Sequence, residues 1–415
     1  MRKGCTPVGL NRYYPVPTDR MGALLSVHGI ENSAVNEFGP MGTANYYQLS
    51  SGHYGIEPHS AHFSVHTTDM DISLGRYAHL LDAVSEVETT LSPEIIFLFA
   101  SSLMGIIGSD MEGIITEASN YIKTPVIVYQ SCNLGRHYMF GIHEMLKKLV
   151  SLTKSPNRKE PLSYNIIGCL PDDFHFASDL NEIKRLMTTC FCANCICTFP
   201  YRCSIQNISS MGEAQINLVI RREGLSCAQE LQNATGTPYI YLRPYGAMQT
   251  QKWIKAITGT TGWELNEACL DSDIRSLHRE IDLYKDEIRR SHSSRSNNSA
   301  LISGNYDTAK GISEFLNSEL DFSVFPWTRD SLDNDVPLKT EMQWEQALLD
   351  HPNAVVLSDG VVKNLCKNRA EIISHPSMFC KDITKKCPFV GINGALNILQ
   401  LIDNCRYSMR ISGIL

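Results

Sequence analysis

The chain has 415 residues, 37 of them Lys or Arg and 44 Asp or Glu, for a formal net charge of −7, and 43% are hydrophobic. That length gives two to four domains at roughly 100–200 residues each, and a composition near the globular average excludes a disordered or collagen-like chain. No Lys/Arg run is long enough to follow a phosphate backbone, and no stretch approaches 18 uninterrupted apolar residues, so neither nucleic acid nor a membrane span is expected.

Met1-Arg2-Lys3 has no apolar segment behind it, so the chain is read as cytoplasmic. Its 14 cysteines then stay reduced, which leaves metal ligation, redox chemistry or burial. The apolar run 94–99 reads as a buried strand, 111–122 as an amphipathic helix and 124–129 as the next strand, one βαβ unit. The polar stretch 153–161 reads as a linker. A second unit follows, with strands at 164–168, 215–220 and 238–242, a helix at 179–187 with Asp179 near its N-cap, and another around 228–231. A charged helical stretch, 265–295, runs into polar 291–299, where the second boundary falls. The third unit has strands at 300–304 and 354–357 and a helix at 308–316. Alternating strands and helices predict an α/β fold with parallel sheets. The expected domains are 1–155, 156–265, and 266–415 with a helical connector and a C-terminal helix.

Cys190-Phe191-Cys192-Ala193-Asn194-Cys195-Ile196-Cys197 contains a C-x-x-C. With a strand's alternation Cys190 and Cys192 face one way and Cys195 and Cys197 the other, which favours burial over a four-thiolate site. His53, His59, His62 and His66 fall in one polar stretch, where His62 and His66 share a strand or loop surface. Gly304-Asn305-Tyr306-Asp307 between strand and helix is either a plain turn or part of an interdomain pocket. No Walker motif and no Ser-His-Asp or Cys-His nucleophile pattern is readable.

Glu37-Phe38-Gly39-Pro40-Met41-Gly42-Thr43 is a tight loop after a strand, either structural or ligand-binding. It resembles the His-Gly-Pro-x-Gly-Cys loop of nitrogenase component 1 subunits and of their relatives in dark-operative protochlorophyllide reduction and nickel-tetrapyrrole reduction. Ser102-Leu103-Met104-Gly105-Ile106-Ile107-Gly108-Ser109-Asp110 is similar to that family's Cys-Pro-x-x-x-Ile-Gly-x-Asp, and Gly236-Thr237-Pro238, Pro244-Tyr245-Gly246 and Pro388-Phe389-Val390-Gly391 follow in the family's order. The resemblance implies three Rossmann-like domains around a central cleft. It also implies pairing with a homologous component 1 subunit as a heterodimer or heterotetramer, and electrons from an ATP-dependent iron–sulfur reductase of the nitrogenase iron protein type in an anaerobic setting.

By the same resemblance Cys5, Thr43 and Ser102 occupy the three cluster-ligand positions, with Gly39 and Gly42 shaping the loop. Only Cys5 is a thiolate donor, and hydroxyls are poorer ligands for iron. Either a partner subunit supplies the missing thiolates of a shared iron–sulfur cluster, or this chain holds none. His375 is the candidate proton donor at the cleft between domains. The resemblance leaves open a redox subunit acting on an unidentified substrate, a scaffold for metallocluster assembly, or a non-catalytic structural subunit. Dinitrogen reduction is not expected.

Overall fold

Short runs of apolar residues alternate with amphipathic segments along the whole chain, and each run becomes a strand of a parallel sheet. The computed structural model describes residues 17–39, 42, 60–66, 68, 70, 78–118, 122–131, 137–290, 298–328, 338, 340–375 and 387–413. The first unit contains α1 (Asp19–Val27), β1 (Ser33–Gly39), β2 (Ala61–His66), α2 (Ala78–Leu91), β3 (Ile95–Ala100), α3 (Ser102–Ile107), α4 (Met111–Ala118), β4 (Val126–Gln130) and α5 (Tyr138–Leu149). In the second are β5 (Ser163–Ile167), α6 (Phe176–Phe191), β6 (Asn194–Phe199), α7 (Ile205–Ser209), β7 (Ile216–Val219), α8 (Leu225–Thr235), β8 (Tyr239–Tyr241) and α9 (Gly246–Thr261), after which the long α10 (Glu267–Arg290) leads into the third. The third holds β9 (Ser299–Gly304), α11 (Tyr306–Leu320), β10 (Ser323–Thr328), α12 (Glu341–Asp350), β11 (Val355–Ser358), α13 (Gly360–Cys366), β12 (Ala370–Ile372) and α14 (Gly391–Ile411).

The sheets have one topology three times over, β2-β1-β3-β4, β6-β5-β7-β8 and β10-β9-β11-β12, and every strand pair is parallel. In such a sheet the connections diverge to opposite faces between the first and third strands of the chain, which opens a crevice at their C-terminal ends. The fold is therefore α/β, with three Rossmann-like sheets. Among the described residues no helix is long and apolar enough to cross a membrane.

The units share cores. One apolar cluster runs from Tyr164 and Leu186 through Trp253 and Leu277 to Phe315 and Ile402, so α14 closes against elements of the second unit as well as the third. Another joins Leu24, Phe97 and Ile142 of the first unit to Phe199 and Leu231 of the second. The close crossing of α1 and α5 depends on Gly141, where a Cβ would stand 1.6 Å from the Asp19 carbonyl oxygen. The charged α10 buries Leu270, Ile274, Leu277 and Ile281 at helical spacing and leaves its other face to solvent.

Two local expectations are adjusted. Asp179 does lie near the N-cap of its helix, but α6 begins earlier than expected, at Phe176 with His175 at the cap, so Asp179 sits within its first turn. The cysteine run is not one strand, because α6 continues through Phe191 and Cys192 closes it in the left-handed conformation. Only Cys195 and Cys197 lie in β6.

Candidate functional site

The loops after β5, β7, β9 and β12 leave the C-terminal ends of the second and third sheets and face one another. Asp172 to Phe174, Arg221 and Glu223, Ser303 to Tyr306, and Ile373 to His375 line a cavity of about 100 Å³, closed from the first unit by Pro17, Tyr138 and Met139. The Gly304-Asn305-Tyr306 turn thus belongs to an interdomain pocket. Its Asn305 side chain accepts from the Thr308 amide at 2.9 Å, which fixes the start of α11 beside the cavity.

Charged groups are paired here in a fixed pattern. Arg221 donates to both Asp172 oxygens at 2.7 and 2.8 Å and to Glu223 at 3.0 Å. Arg243 donates to Asp173 at 3.1 Å and to Asp179 at 2.6 Å. Asp179 also accepts from the Phe389 amide at 2.6 Å, tying the start of α14 to the network. Burial works against the charge of Arg221, yet Asp172 and Glu223 hold it well above its ordinary value. Burial lifts Asp179 to about 6 in spite of Arg243. The same desolvation acts on Asp173, but Arg243 and Arg221 outweigh it and keep its carboxyl below the usual range. Asp307 is raised, first by burial and then by Glu223, although Tyr241 donates to it at 2.5 Å.

His375 is buried at the cavity wall, with its ring edge-on to Phe174 at 5.1 Å between centroids. His175 donates from Nδ1 to the Cys387 carbonyl at 2.5 Å and its ring lies 3.6 Å from that of Phe389. The acids and arginines were not singled out from the sequence. Their signal is positional: Asp172-Asp173 and Arg221-Arg222-Glu223 come within a few residues of the ends of apolar strands, where open sheets place functional groups.

The other predicted site residues sit in the first unit. Cys5 and Thr43 lie outside the described residues, and Ser102 opens α3 with its side chain outside them. Gly39 ends β1, where a Cβ would come within 2.5 Å of the Ser101 side chain, while one on Gly42 would meet nothing within 4 Å among the described residues. Ser101 accepts from the Met104 amide at the N-cap of α3, so this close approach sets where α3 starts. Among the described residues no three His, Cys, Asp or Glu side chains converge for a metal ion.

Beneath that loop lies a buried polar group on β1 and its neighbours. Glu37 bonds Arg20 and stands 3.3 Å from His62 Nε2. His28, with its ring 5.1 Å from that of His62, is pushed down to about 3 by burial and then by His62. His62 is thus half-buried, with its ring turned in against Glu37. His53 and His59 lie outside the described residues, as does the side chain of His66. The cysteine run is divided as well: Cys190 and Cys197 are buried, Cys195 is half-buried and Cys192 exposed. Burial raises the Cys195 thiol to about 11 and Cys197 well above its ordinary value, which leaves both protonated and unreactive.

Comparison with known proteins agrees with this architecture. The family model for nitrogenase component 1 type oxidoreductases matches residues 18–405. One of the subunits of light-independent protochlorophyllide reductase from Synechococcus sp. (strain JA-3-3Ab) is 33% identical over 139 residues, 33% of this chain and 26% of that protein. The nitrogenase iron-molybdenum cofactor biosynthesis protein NifE of Methanococcus maripaludis is 25% identical over 236 residues, 54% of this chain and 48% of its own length. The matched stretches therefore span at most about half of these relatives. The structure titled nitrogenase Cp1 at pH 6.5 superposes with a TM-score of 0.78 at 17% identity, covering 99% of this chain and 96% of that one, which is a likeness of fold. The chain belongs to the nitrogenase component 1 type oxidoreductases.

Proposed function

We propose that this chain is a cytoplasmic subunit of a nitrogenase-like oxidoreductase complex. It pairs with a homologous component 1 subunit, takes electrons from a separate ATP-dependent iron–sulfur reductase and passes them to a small substrate in the central cavity. The observation that carries this reading is the partly open interdomain cavity itself, with His375 at its wall to give a proton as an electron arrives. At about 100 Å³ it is well below the roughly 300–1,000 Å³ of sites that bury a drug-sized ligand, which favours a small reducible molecule over the assembly of a metallocluster.

The first unit supports the pairing. Leu103, Ile106 and Ile107 project from α3 with 42%, 54% and 46% of their surface exposed, an apolar patch beside Gly39. With hydroxyls at Thr43 and Ser102, this chain contributes Cys5 to a shared cluster and its partner the remaining thiolates.

Iron and acid-labile sulfide, measured on anaerobic preparations of the chain alone and co-expressed with its homologous subunit, test this reading. Metal in the complex only, lost in Cys5→Ala, is expected, together with ATP- and reductase-dependent substrate consumption but no ammonia from dinitrogen. A metal-free complex with no such turnover would refute it.

A further inference from the structure

We propose that the central cavity binds a small organic cation, a methylated ammonium about the size of tetramethylammonium, and turns anions away. This rests on the cavity being the substrate site. Among the described lining residues, three carboxylates, Asp172, Asp173 and Glu223, face the guanidinium of Arg221 and the imidazole of His375, which adds a positive charge only while it carries its proton. That guanidinium is turned onto protein carboxylates through its three nitrogens, so it offers little to an anionic ligand. Asp173 shares its own partner, Arg243, with Asp179. The ion-paired set therefore holds two guanidiniums and four carboxylates, a surplus of negative charge in a desolvated place.

A second feature points to the same ligand. Tyr138, Phe174 and Trp327, from three separate elements, line the same cavity. Aromatic rings combined with carboxylates suit an alkylated cation, whose charge is spread over an apolar surface and is drawn to ring faces. Because a cavity of about 150 Å³ holds the six carbons of benzene, one of about 100 Å³ takes about four non-hydrogen atoms by the same scaling, close to the five of tetramethylammonium. A tetrapyrrole does not fit it.

The test is calorimetric titration of the full chain with tetramethylammonium chloride, tert-butanol and sodium isobutyrate at matched ionic strength. Saturable one-to-one binding of tetramethylammonium is expected, at least roughly tenfold tighter than tert-butanol, with no isobutyrate binding. Phe174→Leu and Asp172→Asn, each checked for folding by circular dichroism, should each weaken it roughly fivefold or more. Equal or tighter binding of isobutyrate, no binding of tetramethylammonium, or unchanged affinity in both variants overturns the proposal. No electron transfer enters this assay. A chain that ignores the cation while its complex still turns over with the reductase loses only this inference, and cation binding without turnover loses only the redox reading.

Discussion

Replacing Arg221 by Met should cost this protein about 3–5 kcal/mol of stability at pH 7, because it leaves Asp172 and Glu223 buried as uncompensated charges. The side chain is 7% exposed and its two carboxylate partners 10% and 5%, so little solvent is present to take over its role. Its bonds of 2.7, 2.8 and 3.0 Å are charge-assisted, and one carboxylate is held bidentately. Methionine restores most of the volume, so the loss reports charge rather than a cavity. Urea unfolding followed by tryptophan fluorescence, repeated with the triple variant Arg221→Met, Asp172→Asn, Glu223→Gln, separates the terms. The triple variant should recover most of the loss. A single-variant loss below about 1 kcal/mol, or a triple variant no more stable than the single one, would refute the reasoning.

Three further outcomes follow from the same geometry. Asn36 is fully buried in β1, and among the described residues neither its Nδ2 nor its Oδ1 has a hydrogen-bond partner, so Asn36→Leu should raise stability by about 1–2 kcal/mol in urea unfolding, and a loss would show that the amide is satisfied in solution. Asp179 is raised from 3.8 to about 6, so the folded state keeps a proton that the unfolded state releases between those values. Stability should then fall by roughly 2–3 kcal/mol as pH rises from about 4 to about 6, and Asp179→Asn should remove this slope; parallel pH profiles of the two proteins would exclude it. Gly39→Ala forces the Ser101 side chain away from the N-cap of α3, at a cost of about 1–3 kcal/mol and with weaker retention of the co-expressed homologous subunit in pull-down, whereas undiminished retention would separate α3 from pairing.

The strands and most helices were legible because their apolar runs are long enough to be buried on both faces: residues 94–99 and 354–357 lie within one residue of β3 and β11. The departures share a cause. The sequence 190–197 alternates like a strand, but α6 runs on through Phe191 because Cys190 and Phe191 both bury against its own sheet, and tertiary packing overrides the local pattern. Asp179 has the residue type of an N-cap. Its carboxylate instead meets Arg243 and the amides of Phe389 and Val390, groups 64 to 211 residues away in sequence.

The same distance in sequence hid the cavity. The family's loops drew attention to Gly39 and Ser102 through short motifs, whereas the cavity is built from short stretches on four loops together with residues of the first unit and β10, which no local pattern brings together. What the sequence does carry is a rule of position: in a sheet that changes direction between its first and third strands, the residues just past those strands face a crevice. Applied to β5 and β7 it selects Gly168 to Asp173 and Ile220 to Glu223, which hold four of the charged groups that now define the site, Asp172, Asp173, Arg221 and Glu223. His375, just past β12, comes by the same route rather than from its own identity. The family loops thus mark where this chain is proposed to meet its partner, while the strand ends mark the cavity proposed as its substrate site, and the two sets of residues answer to separate tests.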